Sequence, residues 1–530
     1  MKIFYIKLIL INKRKLQVYG RKKMDEIRKK FDVDSWHLLF VACILVWMFS
    51  CSGRCSAFIT ARKSEFVLFV IGCFILLCFY ILIVREKRDS KTILFLVLTG
   101  GFLLRACYVL ATPYNITKHD IGSFMGFHTG EWGTGHLGYI EYLCKNRRFI
   151  DFDARERWGF YHPPGFYIVE SVILQITRLF CSDEILSYES LQITTLFFSS
   201  LTIWTVCRIL KEFSISDRWL ILLAAFLSVH PFFSIMAVTV TNDCMTMYLM
   251  SLALWYTIRW HKSSHVKDIA VIALALGLAM FTKLNAVIAA FGIGIVFLCV
   301  FWKKRGEYRR ILGQFFLFLL ICSSIGLFYP VRNRIKFDMP FTYIQSVDPG
   351  GSDFSSEVSV VSRVGVPNLR QMSYAFPSFD REIEWNIWIQ LLRTSLFDEL
   401  MPDGGDSLFE WYAMALFQIS ILLAVVMNVL FAWCVFNKDT MCMEMKLLLL
   451  VGYAAMLLGY TKFCMDESFF CTMNYRYIPI SMFFPCIATA VWSRNGSIVF
   501  RNILSCLFLT FILLAAIINL YFIAWSGTSL

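Results

Sequence analysis

Charge is scarce in this chain: 17% of its 530 residues are charged and 58% are hydrophobic, whereas about a quarter of a soluble protein's residues are charged. That excludes a soluble enzyme and a disordered scaffold. The 18 cysteines are scattered, with no CxxC pair, which argues against a metal or disulfide framework. Internal repeats are missing too, and with them the inverted-repeat pattern of many transporters. The apolar stretch Ile3–Ile11 is interrupted by Lys7 and lacks a small-residue cleavage site, so it does not read as a signal peptide. No folded basic surface is visible, which excludes nucleic acid as a partner.

What is present is apolar sequence in about a dozen runs, each near the ~20 residues a helix needs to span hydrocarbon. The mean hydropathy is +0.61. The expected fold is an all-α polytopic membrane protein of about 13 helices. Candidate spans are 36–53, 65–84, 92–111, 190–210, 217–236, 244–260, 268–283, 286–302, 311–329, 409–436, 446–461, 475–493 and 501–525. The net charge is +13, and residues 1–30 hold 11 basic residues against Asp25 and Glu26. Such a tail stays on the cytoplasmic side and can lie on anionic membrane lipid. Met24 is a second candidate start.

Loop charge sets the orientation. The connections around Arg85–Lys91, Arg208–Arg218, Arg259–Lys267 and Lys303–Arg310 are basic and should face the cytoplasm. Segments 112–189, 237–243, 330–408 and 462–474 then fall outside. The segment 163–180 is apolar enough to cross but contains Glu170, Gln175 and Arg178. If it crossed, Lys303–Arg310 would lie outside, so it is read as an amphipathic helix at the outer interface. The chain divides into a basic cytoplasmic tail (1–35), two N-terminal spans (36–91), a core (92–329) with the outer loop 112–189, a second outer loop (330–408) and C-terminal spans (409–530). Both outer loops are long enough to carry function. The expected location is the plasma membrane, with the chemistry on the extracytoplasmic side.

Asp120 follows the third span by nine residues and so lies near the outer surface. A carboxylate there suits a general base, a divalent-cation ligand or a plain solvated acid. Asn242-Asp243 opens the 244–260 span on the same face, either as a helix cap or as a second acid of one polar pocket. Lys283, Arg332 and Arg476 sit at outer span ends, where cations are disfavoured. They either snorkel to headgroups or hold an anion such as a lipid phosphate or pyrophosphate. His162-Pro163-Pro164 is the most specific string: prolines suit a helix start, and His162 before them is extended.

In order, these strings are the loop acid Asp120, Gly135-His-Leu-Gly-Tyr-Ile, Tyr161-His-Pro-Pro, Asn242-Asp, Leu278-Ala-Met-Phe-Thr-Lys, Val331-Arg-Asn-Arg and Tyr475-Arg-Tyr-Ile-Pro. Together they resemble the GT-C superfamily of membrane glycosyltransferases over about residues 92–493. The nearest branch looks like the bacterial homologues of protein O-mannosyltransferases and lipid A aminoarabinose transferases. The resemblance implies inverting transfer of a sugar from a polyprenyl-phosphate donor to a glycan, lipid or protein acceptor at the outer face. It implies that Asp120, Asp243, His136 and His162 serve catalysis. His119, Asn242, Lys283, Arg332, Asn333, Arg476 and Tyr477 would bind substrate, and Asp120 is the candidate ligand of a divalent cation. The chain departs from the pattern in its two extra N-terminal spans and in the missing acid beside Asp120.

The chemistry is consistent on its own terms. Displacing a lipid phosphate builds charge that fixed cations stabilise, while a carboxylate activates the attacking hydroxyl. Two other readings compete: a transporter or flippase of a lipid-linked or anionic substrate, and an O-antigen polymerase or ligase weighted on the second loop. A transporter would place ionisable groups at span centres, where His230-Pro231 is the main candidate. The sequon at Asn115 falls outside and that at Asn495 inside.

Overall fold

The computed structural model describes residues 36–117, 133–345, 358–376, 385–399 and 407–525. They form helices and turns, and no β-sheet is present among them. The chain separates into two compact units, Met1–Val46 and Trp47–Leu530. The first contributes most of the helix Trp36–Ser50 to the described residues. The cavity described below lies in the second.

Among the described residues, eight helices are long and apolar enough to cross a membrane, or nine if the bent pair Asp217–Val229 and Pro231–Val238 is one span. The thirteen expected spans are all helical, but four miss that standard. Trp36–Ser50 has 15 residues, Val266–Thr282 has 17 and Phe483–Trp492 has 10. Asp243–Ser263 has 21 residues but is too polar, with Arg259, His261 and Lys262 in its last turns. The multi-pass architecture therefore stands, while the number of full-length spans in the described residues is smaller than apolarity alone suggests. The spans also differ in depth: 6% of the apolar window of Lys63–Val84 is buried in protein, against 78% for Glu184–Lys211. The former is peripheral and the latter central.

The segment 163–180 forms the helix Gly165–Thr177 of 13 residues. At 1.5 Å per residue it is roughly 20 Å long, short of a ~30 Å hydrocarbon core.

His230-Pro231 marks a bend of 44°. Pro231 cannot donate a backbone N–H, and the His230 side chain caps the second half by accepting from Phe232 N at 3.4 Å. Arg105, buried in the helix Ser90–Ala111, donates to Ser228 O at 2.8 Å and Ser200 Oγ at 3.2 Å. Ser228 lies just before the bend, so this intramembrane arginine satisfies backbone there. Close approach makes the contact feasible: a Cβ on Gly101 would sit 2.5 Å from Ser228 Cβ. The central ionisable groups at this bend are thus engaged in holding the helices together.

Candidate functional site

Two helix ends and a turn build one wall. Asp243 begins the helix Asp243–Ser263, and Lys283 follows directly on Val266–Thr282. These antiparallel neighbours return the chain to the same level, so residues 40 apart in sequence meet. Lys283 Nζ donates to Asp243 Oδ1 at 2.5 Å, and both residues are buried. Asn242 donates from Nδ2 to Thr282 O at 3.3 Å, pinning the two ends together. Asp243 is therefore more than an end cap, since its carboxylate is engaged by a lysine.

A second wall comes from the segment 112–189. The second residue of the helix Gly135–Asn146 is His136, whose Nδ1 is 2.9 Å from Tyr167 Oη. His162 stacks against His136 with ring centroids 6.2 Å apart and planes 8° apart. The prolines after His162 lead into Gly165–Thr177, and Gly165 is required by packing: a Cβ there would lie 2.7 Å from Phe281 O. That contact seats the His-Pro-Pro turn beside the end of the Lys283 helix. Tyr139 anchors the wall from behind, stacked on Phe160 and Tyr167 and donating to Tyr329 Oη at 3.2 Å. Burial pushes its phenol well above the usual tyrosine range, so it stays neutral as a donor.

Between the walls is a cavity of about 640 Å³. His136, His162, Asn242, Asp243, Lys283, Arg476 and Tyr477 all line it. Tyr477 sits between the cations: Lys283 Nζ is 5.2 Å from its ring centroid and Arg476 Cζ is 5.1 Å away. Arg476 Nη2 also donates to Tyr477 Oη at 3.3 Å. Such contacts place two positive groups on one aromatic surface.

Two expected binding residues lie elsewhere. Arg332 and Asn333 are not part of the cavity lining. The Arg332 guanidinium donates to Ile150 O and, at 2.7 Å, to Asn333 Oδ1, between the rings of Tyr329 and Phe337. It ties the first outer segment to the helix Phe328–Phe337, and Asn333 is fully buried. His119, Asp120 and Glu131, the next acid after Asp120 in the same loop, lie outside the described residues.

The cavity also contains groups that sequence reading passed over. Glu399 and Glu467 line it, both just beyond helix ends in outer segments, which was the available signal. Burial and the neighbouring Asp466 push the Glu467 carboxyl up, so it holds its proton to higher pH than a free glutamate. Residues 339–345 line the cavity together with Trp158 and Tyr161, and Tyr343 meets Tyr161 edge-on with ring centroids 5.9 Å apart. Gln345 Oε1 accepts from Gly159 N at 3.3 Å. The second outer segment therefore shares the site with the first. Among the described residues, the one grouping of three potential metal ligands is His261, Cys442 and Glu444, none of which lines this cavity.

Residues 162–331 match the family model described as dolichyl-phosphate-mannose-protein mannosyltransferase. The match covers about a third of the chain. It spans His162, Asn242, Asp243 and Lys283, which line the cavity. No curated protein sequence matches the chain significantly. Among solved structures, the chain is similar to the Saccharomyces cerevisiae protein O-mannosyltransferase Pmt1–Pmt2 complex bound to its sugar donor. There the identity is 16% and the TM-score 0.36, over 50% of this chain and 35% of that one. The chain thus matches about a third of the yeast protein's length. It is also similar to ArnT from Cupriavidus metallidurans bound to undecaprenyl phosphate, at 12% identity and TM-score 0.36 over 77% of this chain and 79% of that one.

Proposed function

We propose that the protein is a glycosyltransferase that moves a sugar from a polyprenyl-phosphate donor to an acceptor at the extracytoplasmic face of the plasma membrane, with inversion at the anomeric carbon. The observation that carries this reading is the shared cavity: Lys283 and Arg476 on one surface, with acids and histidines around it. Lys283 and Arg476 would take the carrier phosphate, whose charge grows as the glycosidic bond breaks. Asp243 would orient the Lys283 ammonium and moderate its charge. Asp120, 16 residues ahead of His136, is proposed as the base that accepts the acceptor's proton, or as the ligand of a divalent cation that organises it. His136 and His162 would hold the acceptor, and the aromatic rings would face the sugar. The acceptor would be a glycan, lipid or protein.

The orientation has its own support. The cavity is lined from segments that loop charge assigns to one face, together with the span ends that border them. The transporter reading loses ground, because Arg105 bonds across to Ser228 O and His230 caps the helix that follows the bend.

Transfer should be assayed in membranes with labelled polyprenyl-phosphate sugars, alongside thiol labelling of a single cysteine placed within 305–308. Consumption of a lipid-linked sugar, with that cysteine shielded from an impermeant reagent in intact cells, is expected. No consumption of any donor would move the transporter reading ahead. Labelling at 305–308 would invert the proposed face.

A further inference from the structure

The far end of the Asp243 helix holds a second group of polar side chains. His261 lies 18 residues after Asp243 on the same helix, about 27 Å along its axis. Here the helix ends meet the start of another: Glu444 is in the first turn of Met443–Asp466, Cys442 caps it, and Lys303 ends the helix Ala289–Lys303. The ligand atoms of His261, Cys442 and Glu444 all lie within 4.8 Å of one another.

Glu444 carries the argument. It is 2% exposed, and its two oxygens are treated differently. Oε1 is paired with Lys303 Nζ. Oε2 has no hydrogen-bond partner among the protein atoms and faces His261 Nε2 at 3.7 Å, beyond hydrogen-bond reach. A buried carboxylate oxygen without a partner is costly. A cation between it and the imidazole would satisfy both groups at once.

We propose that His261, Cys442 and Glu444 form a binding site for a divalent cation of the zinc class, remote from the sugar-transfer cavity. The ligand set selects the ion. Imidazole and thiolate suit borderline metals, whereas Mg²⁺ and Ca²⁺ take oxygen ligands. Ligand atoms around a tetrahedral zinc lie roughly 3.3–3.8 Å apart, so the group must contract by about 1 Å. Cys442 is exposed and can supply that movement by a change of rotamer. Three protein ligands leave the fourth position to water. Bound there, the ion would clamp His261 at the end of one helix to the start of another, and Lys303 would remain on the outer oxygen.

The test uses the full-length protein in detergent with Co²⁺ as the probe, read by the thiolate-to-cobalt charge-transfer and tetrahedral d–d bands, followed by a Zn²⁺ chase. Wild type should develop both bands and lose them to Zn²⁺. Cys442→Ser, which changes an exposed side chain and should leave the melting temperature unchanged, should abolish the charge-transfer band. His261→Gln should weaken binding by at least about tenfold, since even groups behind the ligands are worth 10–100-fold in affinity. Absence of the bands in wild type would overturn the proposal. So would a charge-transfer band that survives Cys442→Ser, because another of the 18 cysteines would then be the ligand. Neither outcome bears on sugar transfer, which this experiment does not measure.

Discussion

Lys283 Nζ and Asp243 Oδ1 lie 2.5 Å apart at the wall of the cavity, with 11% and 4% of their side chains exposed. A pair so placed is both a functional and a structural element. Removing one partner leaves the other charge buried, at a cost of about 3–5 kcal/mol.

Lys283→Met and Asp243→Asn should therefore each lower the melting temperature and the folded yield, while the double variant should recover much of the loss. Thermal unfolding of all three in detergent checks this. A loss in the double variant equal to the sum of the two single losses would mean that the pair contributes no coupling. Arg476→Ala probes the phosphate at the second cation of the cavity lining. A charged hydrogen bond is worth ~1.5–3 kcal/mol, so donor affinity should fall on the order of 10–100-fold.

Asp120→Asn should leave expression unchanged and reduce sugar transfer by roughly 10²–10⁴-fold, the usual contribution of a general base. Protein-matched membranes assayed with a labelled donor give the answer. Transfer at the wild-type rate would pass the role to Glu131.

Arg332→Ala should act on folding. Its guanidinium bonds to Ile150 O and Asn333 Oδ1 across separate segments, and losing a charged hydrogen bond of this kind costs about 1–3 kcal/mol. The expected signature is a lower melting temperature with donor affinity per folded molecule unchanged. Reduced affinity in the folded fraction would restore Arg332 to the phosphate site.

Acid should loosen the first outer segment through Glu141. Burial raises its carboxyl pKa, but hydrogen bonds from Arg178 (2.5 Å) and Tyr188 (2.6 Å) outweigh that and hold it below the ordinary value. A depressed folded pKa means that stability is fully present above the unfolded value and is lost as pH falls through the folded one. Thermal stability should accordingly decline on acidification below about pH 4.5. Glu141→Gln should be less stable at neutral pH and show a flatter acid limb. Parallel pH profiles for the two proteins would show that another group governs the response.

Apolar runs and loop charge were enough to determine a multi-pass helical protein, because burial in hydrocarbon requires long uncharged helices and basic loops resist translocation. The acids, cations and histidines at one set of helix ends were also legible, since charge at those positions is unusual enough to stand out. Span length was less so: local hydropathy cannot register that Val266–Thr282 and Phe483–Trp492 stop short. Tertiary structure alone decided which of the marked residues meet. Asp243 finds Lys283 because two antiparallel helices end at one level, while Arg332, equally basic and equally placed in the sequence, turns to Ile150 O. The same folding brings Glu399 and Glu467 from separate outer segments to the cavity and sets Glu444 against His261 and Cys442. Sequence spacing has no term for such contacts, because they depend on how helices far apart in the chain pack and on which side chains the packing leaves to face one another.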